Sequence, residues 1–315
     1  MDAYEVVGVL GKGSFGVVSR VRRKADGKLL VWKEMDYGYM STREKQQLVA
    51  EVNILRELKH PNIVRYFDRI LDKRNAKIYV VMEHCEGGDL SRLIKSLKRE
   101  GPLMEDIIWK LFTQLTLALY ECHRRPAGKI LHRDIKPGNV FLDAEQNVKL
   151  GDFGLAKIMG EDSVYANTHV GTPYYMSPEQ MAESSYDEKS DIWSLGCLIY
   201  ELASLRPPFA ATTHLQLAAR IKAGNFERLP LRYSEDLQQL VTWMLTLHPD
   251  LRPSVDELLA HPMVALRLRE KKVKDQWAEL KKRQEELKAR RVELLQKKRV
   301  EVTEIGSDTS NELVD

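Results

Sequence analysis

The sequence predicts an α+β protein of two lobes: a small antiparallel β-rich lobe carrying one helix, then a larger, mainly helical lobe. A further C-terminal helix, a candidate coiled coil, follows them. Three observations predict this. Apolar, β-branched stretches broken by glycine occupy residues 4–35, apolar residues at helical spacing dominate from Ile107 onward, and the composition changes after His261-Pro262. A chain of 315 residues exceeds the usual limit of one hydrophobic core, and its 43% apolar content is ample for burial. The expected boundaries are 1–266 for the two lobes (about 1–83 and 86–266), 267–300 for a basic charged helix and 301–315 for an acidic tail expected to be disordered.

Residues 4–10 read as a strand. Gly11-Lys12-Gly13-Ser14-Phe15-Gly16-Val17-Val18 then forms a glycine turn into a second strand reaching Val21. Glycine lets backbone N–H groups approach phosphate without obstruction from Cβ. The same G-x-G-x-x-G spacing marks dinucleotide-binding folds, but there it opens a helix, whereas Val17, Val18 and Val21 favour a strand. Asp26-Gly27 supplies a hairpin turn into a third strand, 29–35, which carries Lys33. Lys33 follows Leu30, Val31 and Trp32, where an uncompensated ammonium is costly, so it requires anionic partners. The next segment, 44–58, places Leu48, Val52, Leu55 and Leu58 on one helical stripe, with Glu51 flanking it and able to face the strand. Glu44 and Glu57 compete as partners for Lys33, but lie at the start and end of the helix.

In the larger lobe, Ile107, Leu111, Leu115 and Leu119 mark one long helix. Ile192, Trp193, Leu195, Ile199 and Leu202 mark another that is apolar nearly all round and therefore buried. Leu237, Leu240, Val241 and Met244 outline a third, and Ser254-Val255-Asp256-Glu257 reads as a capping box before Leu258 and Leu259.

Between the first two of these helices lies His132-Arg133-Asp134-Ile135-Lys136-Pro137-Gly138-Asn139, followed by Asp152-Phe153-Gly154. An aspartate at 134 can accept a hydroxyl proton and orient the attacking oxygen. Asn139 offers a neutral amide oxygen to a metal, and Asp152 a carboxylate. Magnesium prefers hard oxygen donors and keeps several waters, so one carboxylate, one amide and substrate phosphates make a sufficient site.

Taken in order, the Gly-rich loop, Lys33, Glu51, His132-Arg133-Asp134, Asn139, Asp152-Phe153-Gly154, Ser177-Pro178-Glu179, Asp191-Ile192-Trp193-Ser194-Leu195-Gly196 and Arg252 resemble the motifs of eukaryotic protein kinases, over residues 4 to about 264. The resemblance implies a bilobal kinase fold that transfers the γ-phosphoryl group of ATP, with Mg2+ held by Asn139 and Asp152. Asp134 would be the base, assisted by Lys136, with Lys33 and Glu51 paired. The nucleotide would lie against Leu10, Gly11, Lys12, Gly13, Ser14, Phe15, Gly16, Val17, Val18, Val31 and Lys33. Met82 would be the gatekeeper, Glu83, His84 and Cys85 the hinge, and Asp89 would lie toward the ribose. Arg252 would be the buried structural partner of Glu179. Ser177, Ile135 and Gly138 depart from the common pattern without removing a ligand or base. Val31 is expected to narrow the adenine pocket, and Gly151 to leave space behind Asp152.

Lys136, two residues after the catalytic aspartate, resembles the serine/threonine kinases, as does Thr172 in Gly171-Thr172-Pro173. Arg133 is a ready bidentate partner for a phosphorylated loop. Within 152–179, Thr168 ranks first and Thr172 second as activating phosphosites, ahead of Ser163 and Tyr165; the alternative is that they are ordinary polar loop residues. Leu30-Val31-Trp32-Lys33-Glu34, residues 57–66, residues 171–179 and Ala118-Leu119 with Glu121-Cys122-His123-Arg124-Arg125 resemble the NIMA-related kinases, in particular their mitotic, centrosomal branch. That likeness implies a cell-cycle role at centrosome and spindle.

Cys85, Cys122 and Cys197 are too scattered for a disulfide framework or zinc site, and neither a signal peptide nor an apolar run that could cross a bilayer is read, so a cytoplasmic and nuclear protein without membrane partners is expected. The net charge of +3 averages a basic segment, 267–299, with an acidic one, 301–315, that has no lysine or arginine. Val273, Leu280, Leu287 and Leu294 recur at heptad spacing, with Trp277, Gln284 and Arg291 at the alternate seam. This half-filled heptad is either a short coiled coil, giving a homodimer through 273–295, or a lone charged helix supported by Glu279–Arg283, Glu286–Arg290 and Glu293–Lys297 pairs. Nucleic acid is not an expected partner, because the basic run carries no recognisable DNA-binding motif. Protein substrates with serine or threonine acceptors are. The competing reading is a pseudokinase scaffold acting through its coil, against which Lys33, Asp134, Asn139 and Asp152 all stand.

Overall fold

Alternating apolar residues and tight turns build the N-terminal sheet. The computed structural model describes residues 2–13, 16–126, 128–153, 173–182 and 185–311, without the side chains of Gln47, Glu51 and 296–311. Strands β1 (Tyr4–Gly13), β2 (Gly16–Arg23), β3 (Leu29–Asp36), β4 (Tyr66–Asp72) and β5 (Lys77–Glu83) form a sheet of order β1-β2-β3-β5-β4, each neighbouring pair antiparallel. Period-two alternation sends Val21, Leu30, Trp32, Tyr79 and Val81 into one buried cluster, capped by Tyr4, Phe67 and Ile70. Lys33 and Val31 therefore face the other side of the sheet. Register sets Val18 opposite Lys33 and Val31 opposite Met82.

Helix α1 (Thr42–Glu57) begins at Ser41, whose hydroxyl accepts the Glu44 N–H at 3.3 Å while the Glu44 carboxylate accepts the Ser41 N–H at 2.6 Å. This reciprocal cap was not part of the sequence expectation, and it removes Glu44 from the competition for Lys33. The stripe Leu48, Val52, Leu55 and Leu58 is buried as expected.

The larger lobe contains α2 (Leu90–Glu100), α3 (Glu105–His123), a hairpin of β6 (Val140–Leu142) and β7 (Val148–Leu150), α4 (Pro178–Met181), α5 (Glu188–Ser204), α6 (His214–Ala223), α7 (Glu235–Met244) and α8 (Val255–Ala260). The five apolar residues that predicted α5 are all buried. Ser254 caps α8 with Glu257 reciprocally, as its motif predicts. Ser177 caps α4 through Gln180 in the same way, which gives a physical use to a serine read from sequence only as a departure from pattern.

The chain divides into two units after His261. The second is a single helix, α9 (Pro262–Asn311). Proline suits its first turn, where the missing N–H has no intrahelical partner to lose. The helix runs past residue 300 into the segment expected to be a disordered tail: propagation adds a hydrogen bond for each residue fixed, without a new nucleation step, and no proline interrupts it. Val273, Trp277, Leu280, Leu287 and Leu294 are 54–71% exposed. Ion pairs along it include Lys282–Glu286 at 3.9 Å and Lys288–Glu285 at 3.1 Å, where spacing suggested Glu279–Arg283 and Glu286–Arg290; the Lys297 side chain of the third expected pair lies outside the described residues. Long exposed side chains choose among several partners of nearly equal energy. No helix among the described residues is long and apolar enough to cross a membrane.

Candidate active site

The segment 132–139 becomes a site because its backbone is held from below. Asp191, fully buried near the start of α5, accepts the N–H groups of His132 at 2.9 Å and Arg133 at 3.0 Å. It also accepts the Tyr186 hydroxyl and lies 2.8 Å from His123 Nε2. Burial works to raise the Asp191 pKa, but His123, His132 and Tyr186 together hold it below the ordinary carboxylate value. Arg133 is thereby kept at φ 67°, a left-handed conformation unusual for arginine. A 3-10 turn, Pro137–Asn139, closes the loop and leads directly into β6.

The two polar side chains of the loop meet. Asn139 Nδ2 donates to Asp134 Oδ2 and to Asp134 O, both at 2.7 Å. Lys136 Nζ lies 2.8 Å from the same Asp134 Oδ2. On the other side of the cleft, Lys33 Nζ donates to Asp152 Oδ1 at 3.0 Å. The Gly151 N–H donates to Asn139 O at 3.0 Å, which ties the segment bearing Asp152, just after β7, to the loop bearing Asp134. Asp152 itself takes φ 53°. Donor chemistry fits magnesium: with its nitrogen committed to Asp134, Asn139 keeps its amide oxygen, and Asp152 adds a carboxylate. Among the described residues no group of three or more His, Cys, Asp or Glu forms a metal cluster, so an ion here needs oxygens from substrate and water as well.

Other expected residues fall around this centre. Met82 and Val31 are buried side by side on β5 and β3, and Leu10 is 44% exposed at the mouth. Gly16 has φ 122°, and a Cβ there would meet Glu34 O at 1.7 Å, so only glycine fits. Gly11 has open space where its Cβ would be. The Asp89 carboxylate caps α2 through the Arg92 N–H at 2.9 Å. Burial pushes the Cys85 thiol up to about 12, which favours its protonated form at neutral pH. Glu57 pairs with Arg125 at 2.8 Å, leaving neither competitor of Glu51 facing Lys33. The Glu51 side chain, Ser14, Phe15, Gly154, Thr168 and Thr172 lie outside the described residues.

One expectation is overturned. Gly151 does not leave space behind Asp152: a Cβ there would come within 2.7 Å of Val64 and 3.1 Å of Phe141. The glycine is required because those side chains already fill the volume. Sequence reasoning also missed Tyr66, buried beside Asp152; burial and that carboxylate push its phenol well above its ordinary value. Nothing local marks Tyr66, since its neighbours at the site come from far along the chain.

The His132 ring packs at a tilt against Phe153, at 4.6 Å between ring centroids, and its Nε2 lies 2.9 Å from Gly151 O. Burial holds its pKa below the ordinary imidazole value of 6.5, against the pull of Asp191 and Asp134. Between that lowered value and 6.5 the unfolded chain binds the proton and the folded chain does not, so stability falls as pH drops below 6.5. His84 and His261 are lowered by burial and act in the same direction. Melting temperatures recorded from about pH 7.5 down to about 5.5 are expected to fall, and less steeply in His132→Phe. Equal slopes would remove His132 as a contributor.

A two-lobed fold with a lysine–aspartate pair across its cleft and an aspartate–asparagine pair beneath it defines a protein kinase. Residues 4–264 match the protein kinase domain family, and the chain belongs to it, in its NIMA-related serine/threonine branch. It is 59% identical over 267 residues to the serine/threonine-protein kinase Nek2 of Homo sapiens, a match covering 84% of this chain and 60% of the relative. It is 54% identical over 289 residues to a probable serine/threonine-protein kinase nek2 of Dictyostelium discoideum, covering 91% and 69%. Identity to the G2-specific protein kinase nimA of Emericella nidulans is 44% over 309 residues, covering 90% of this chain and 44% of that relative. The chain thus spans about 60% of the length of the human relative. Protein kinases use ATP and a divalent metal.

Proposed function

We propose that the chain is an active serine/threonine kinase that moves the γ-phosphoryl group of ATP to protein hydroxyls with Mg2+. The observation that carries this reading is the convergence of Lys33, Asp134, Asn139 and Asp152 in one cleft, with Asp134 held by Asn139 and Lys136. Asp134 accepts the acceptor hydroxyl proton and aims the oxygen. Lys136 stands where it can neutralise charge on the transferring group. Lys33 and Glu51 form the expected pair at the α- and β-phosphates, a role favoured by the engagement of Glu44 and Glu57 elsewhere. When bound, Mg2+ neutralises phosphate charge; Asn139 and Asp152 would hold it. Leu10, the glycine turn, Val17, Val18, Val31, Met82, Glu83 and Cys85 bind the nucleotide in this reading. Phosphate transfer from labelled ATP to a serine-containing protein, compared with Lys33→Arg and Asp134→Asn, tests it. Equal rates in the variants would sink it.

Activation by a phosphorylated loop fits the site. Arg133 and Lys129 line a small open cleft of about 180 Å³ with Ile54, Leu55, Ile130, Leu131 and Phe153, so two basic residues border space beside the catalytic loop. Thr168 is the first candidate and Thr172 the second. The G2-specific label of the Emericella nidulans and Neurospora crassa relatives supports a cell-cycle role, with centrosome and spindle as expected sites of action. The exposed seam Val273, Leu280, Leu287 and Leu294 supports dimerisation through 273–295, which would raise the local concentration of one activation loop near another active site. Sedimentation of the whole chain is expected to give a dimer, and of a chain ending at Leu266 a monomer. A whole chain that also sediments as a monomer would leave α9 as a lone helix.

A further inference from the structure

Among the ion pairs of the first unit, one joins the two ends of the nucleotide site from behind. Glu83 is the last residue of β5, where the chain leaves the N-terminal sheet. Both its carboxylate oxygens are held: Oε1 lies 2.8 Å from Lys149 Nζ, and Oε2 accepts the Arg65 N–H at 3.1 Å. Arg65 O in turn accepts the Glu83 N–H at 2.8 Å. The side chains of Lys149 and Glu83 are 14% and 25% exposed, so water and salt screen this pair less than they screen those along α9.

Alternation along β7 explains the direction of Lys149. Val148 and Leu150 are buried on one face, which sends Lys149 to the other, behind the hinge. The strand is pinned to the segment preceding β4. Asn62 Nδ2 donates to Val148 O at 3.0 Å, the Leu150 N–H to Asn62 O at 2.8 Å, and the Val64 N–H to Leu150 O at 2.9 Å. Asp152 follows almost at once. A continuous path of contacts therefore runs from the hinge backbone through Glu83, Lys149 and β7 to the metal-binding carboxylate.

We propose that Lys149 and Glu83 are positioning residues: their ion pair is a strut that fixes the metal-binding end of the nucleotide site relative to the adenine-binding hinge. This rests on the kinase reading above. A nucleotide that must touch both ends binds more tightly when those ends are already set, because freedom removed beforehand is not lost on binding. The effect belongs to nucleotide affinity more than to the chemical step.

Calorimetric titration of the full chain with a non-hydrolysable ATP analogue and Mg2+ reads the strut independently of turnover. Lys149→Met and Glu83→Gln are each expected to weaken binding about five-fold or more, the lower end of couplings between sites. The KM for ATP rises in parallel; in Lys149→Met, which alters none of the nucleotide-binding residues named above, kcat at saturating ATP and the KM for a serine peptide stay near those of the unaltered chain. Lys149→Arg, which keeps the charge, retains the affinity; a role in packing alone would not separate arginine from methionine in this way. Glu83→Gln keeps an acceptor for the Arg65 N–H, so it decides the matter if melting curves find Lys149→Met unfolded. Unchanged affinity in the variants, with the unaltered chain binding nucleotide and transferring phosphate, overturns the strut alone. A gain of affinity or activity also overturns it, since the pair would then restrain the lobes instead of aligning them. An unaltered chain that binds no nucleotide removes both readings.

Discussion

Asp134→Asn is expected to lower kcat by about 10²–10⁴-fold, the usual contribution of a positioned general base, with little change in the KM for ATP. The geometry separates the two parameters. Asp134 touches Asn139, Lys136 and the loop backbone, not the Lys33–Asp152 pair across the cleft. An amide in its place can still accept one hydrogen bond, so the loop keeps its shape, but it cannot take the proton of an acceptor hydroxyl. A loss confined to kcat is the signature of a group used in the transition state. A variant with kcat within a few-fold of the parent would require another base.

Arg252→Met is expected to cost about 3–5 kcal/mol of stability, read from the denaturant midpoint, a large share of the 5–15 kcal/mol that holds a domain together. Arg252 is buried, and its guanidinium makes a full set of bonds. It donates to both Glu179 oxygens at 2.7 Å, to Thr246 O at 2.7 Å, to Leu247 O at 2.9 Å and to Lys189 O at 3.0 Å, and sits 4.9 Å over the Trp193 ring. Burial works to raise the Glu179 pKa, yet Arg252 and Ser190 hold it below its ordinary value, so the carboxylate is charged and would be left buried without its partner. Pairing Arg252→Met with Glu179→Leu should recover part of the loss, because no orphaned charge then remains. A cost below about 1 kcal/mol for Arg252→Met would mean that water replaces the guanidinium.

Most of the fold was legible because its signals are local. The strand that carries Lys33, the stripe of α1, the all-round apolar α5 and the cap at Ser254 follow from side-chain periods and turn chemistry that neighbouring residues set by themselves. The caps at Ser41 and Ser177 were equally local and went unread, although each serine precedes Glu44 or Gln180 at capping-box spacing. Gly151 was misread for a different reason. A glycine looks like empty space in sequence, whereas Val64 and Phe141, brought in from elsewhere in the chain, occupy that volume.

The candidate site divides along the same line. By itself the sequence determined which residues are the candidates for the chemistry: a base, an amide and a carboxylate for a metal, and a lysine for phosphate are roles few other side chains can fill, so type and order were enough to nominate them. Only the tertiary structure decided how they are held. Lys33 meets Asp152 across 119 positions of sequence, Asp191 supports His132 from 59 positions away, and Glu83 finds Lys149 behind the hinge. Such contacts depend on how strands and helices stack, and no period in a linear chain records which distant partner a buried charge will meet.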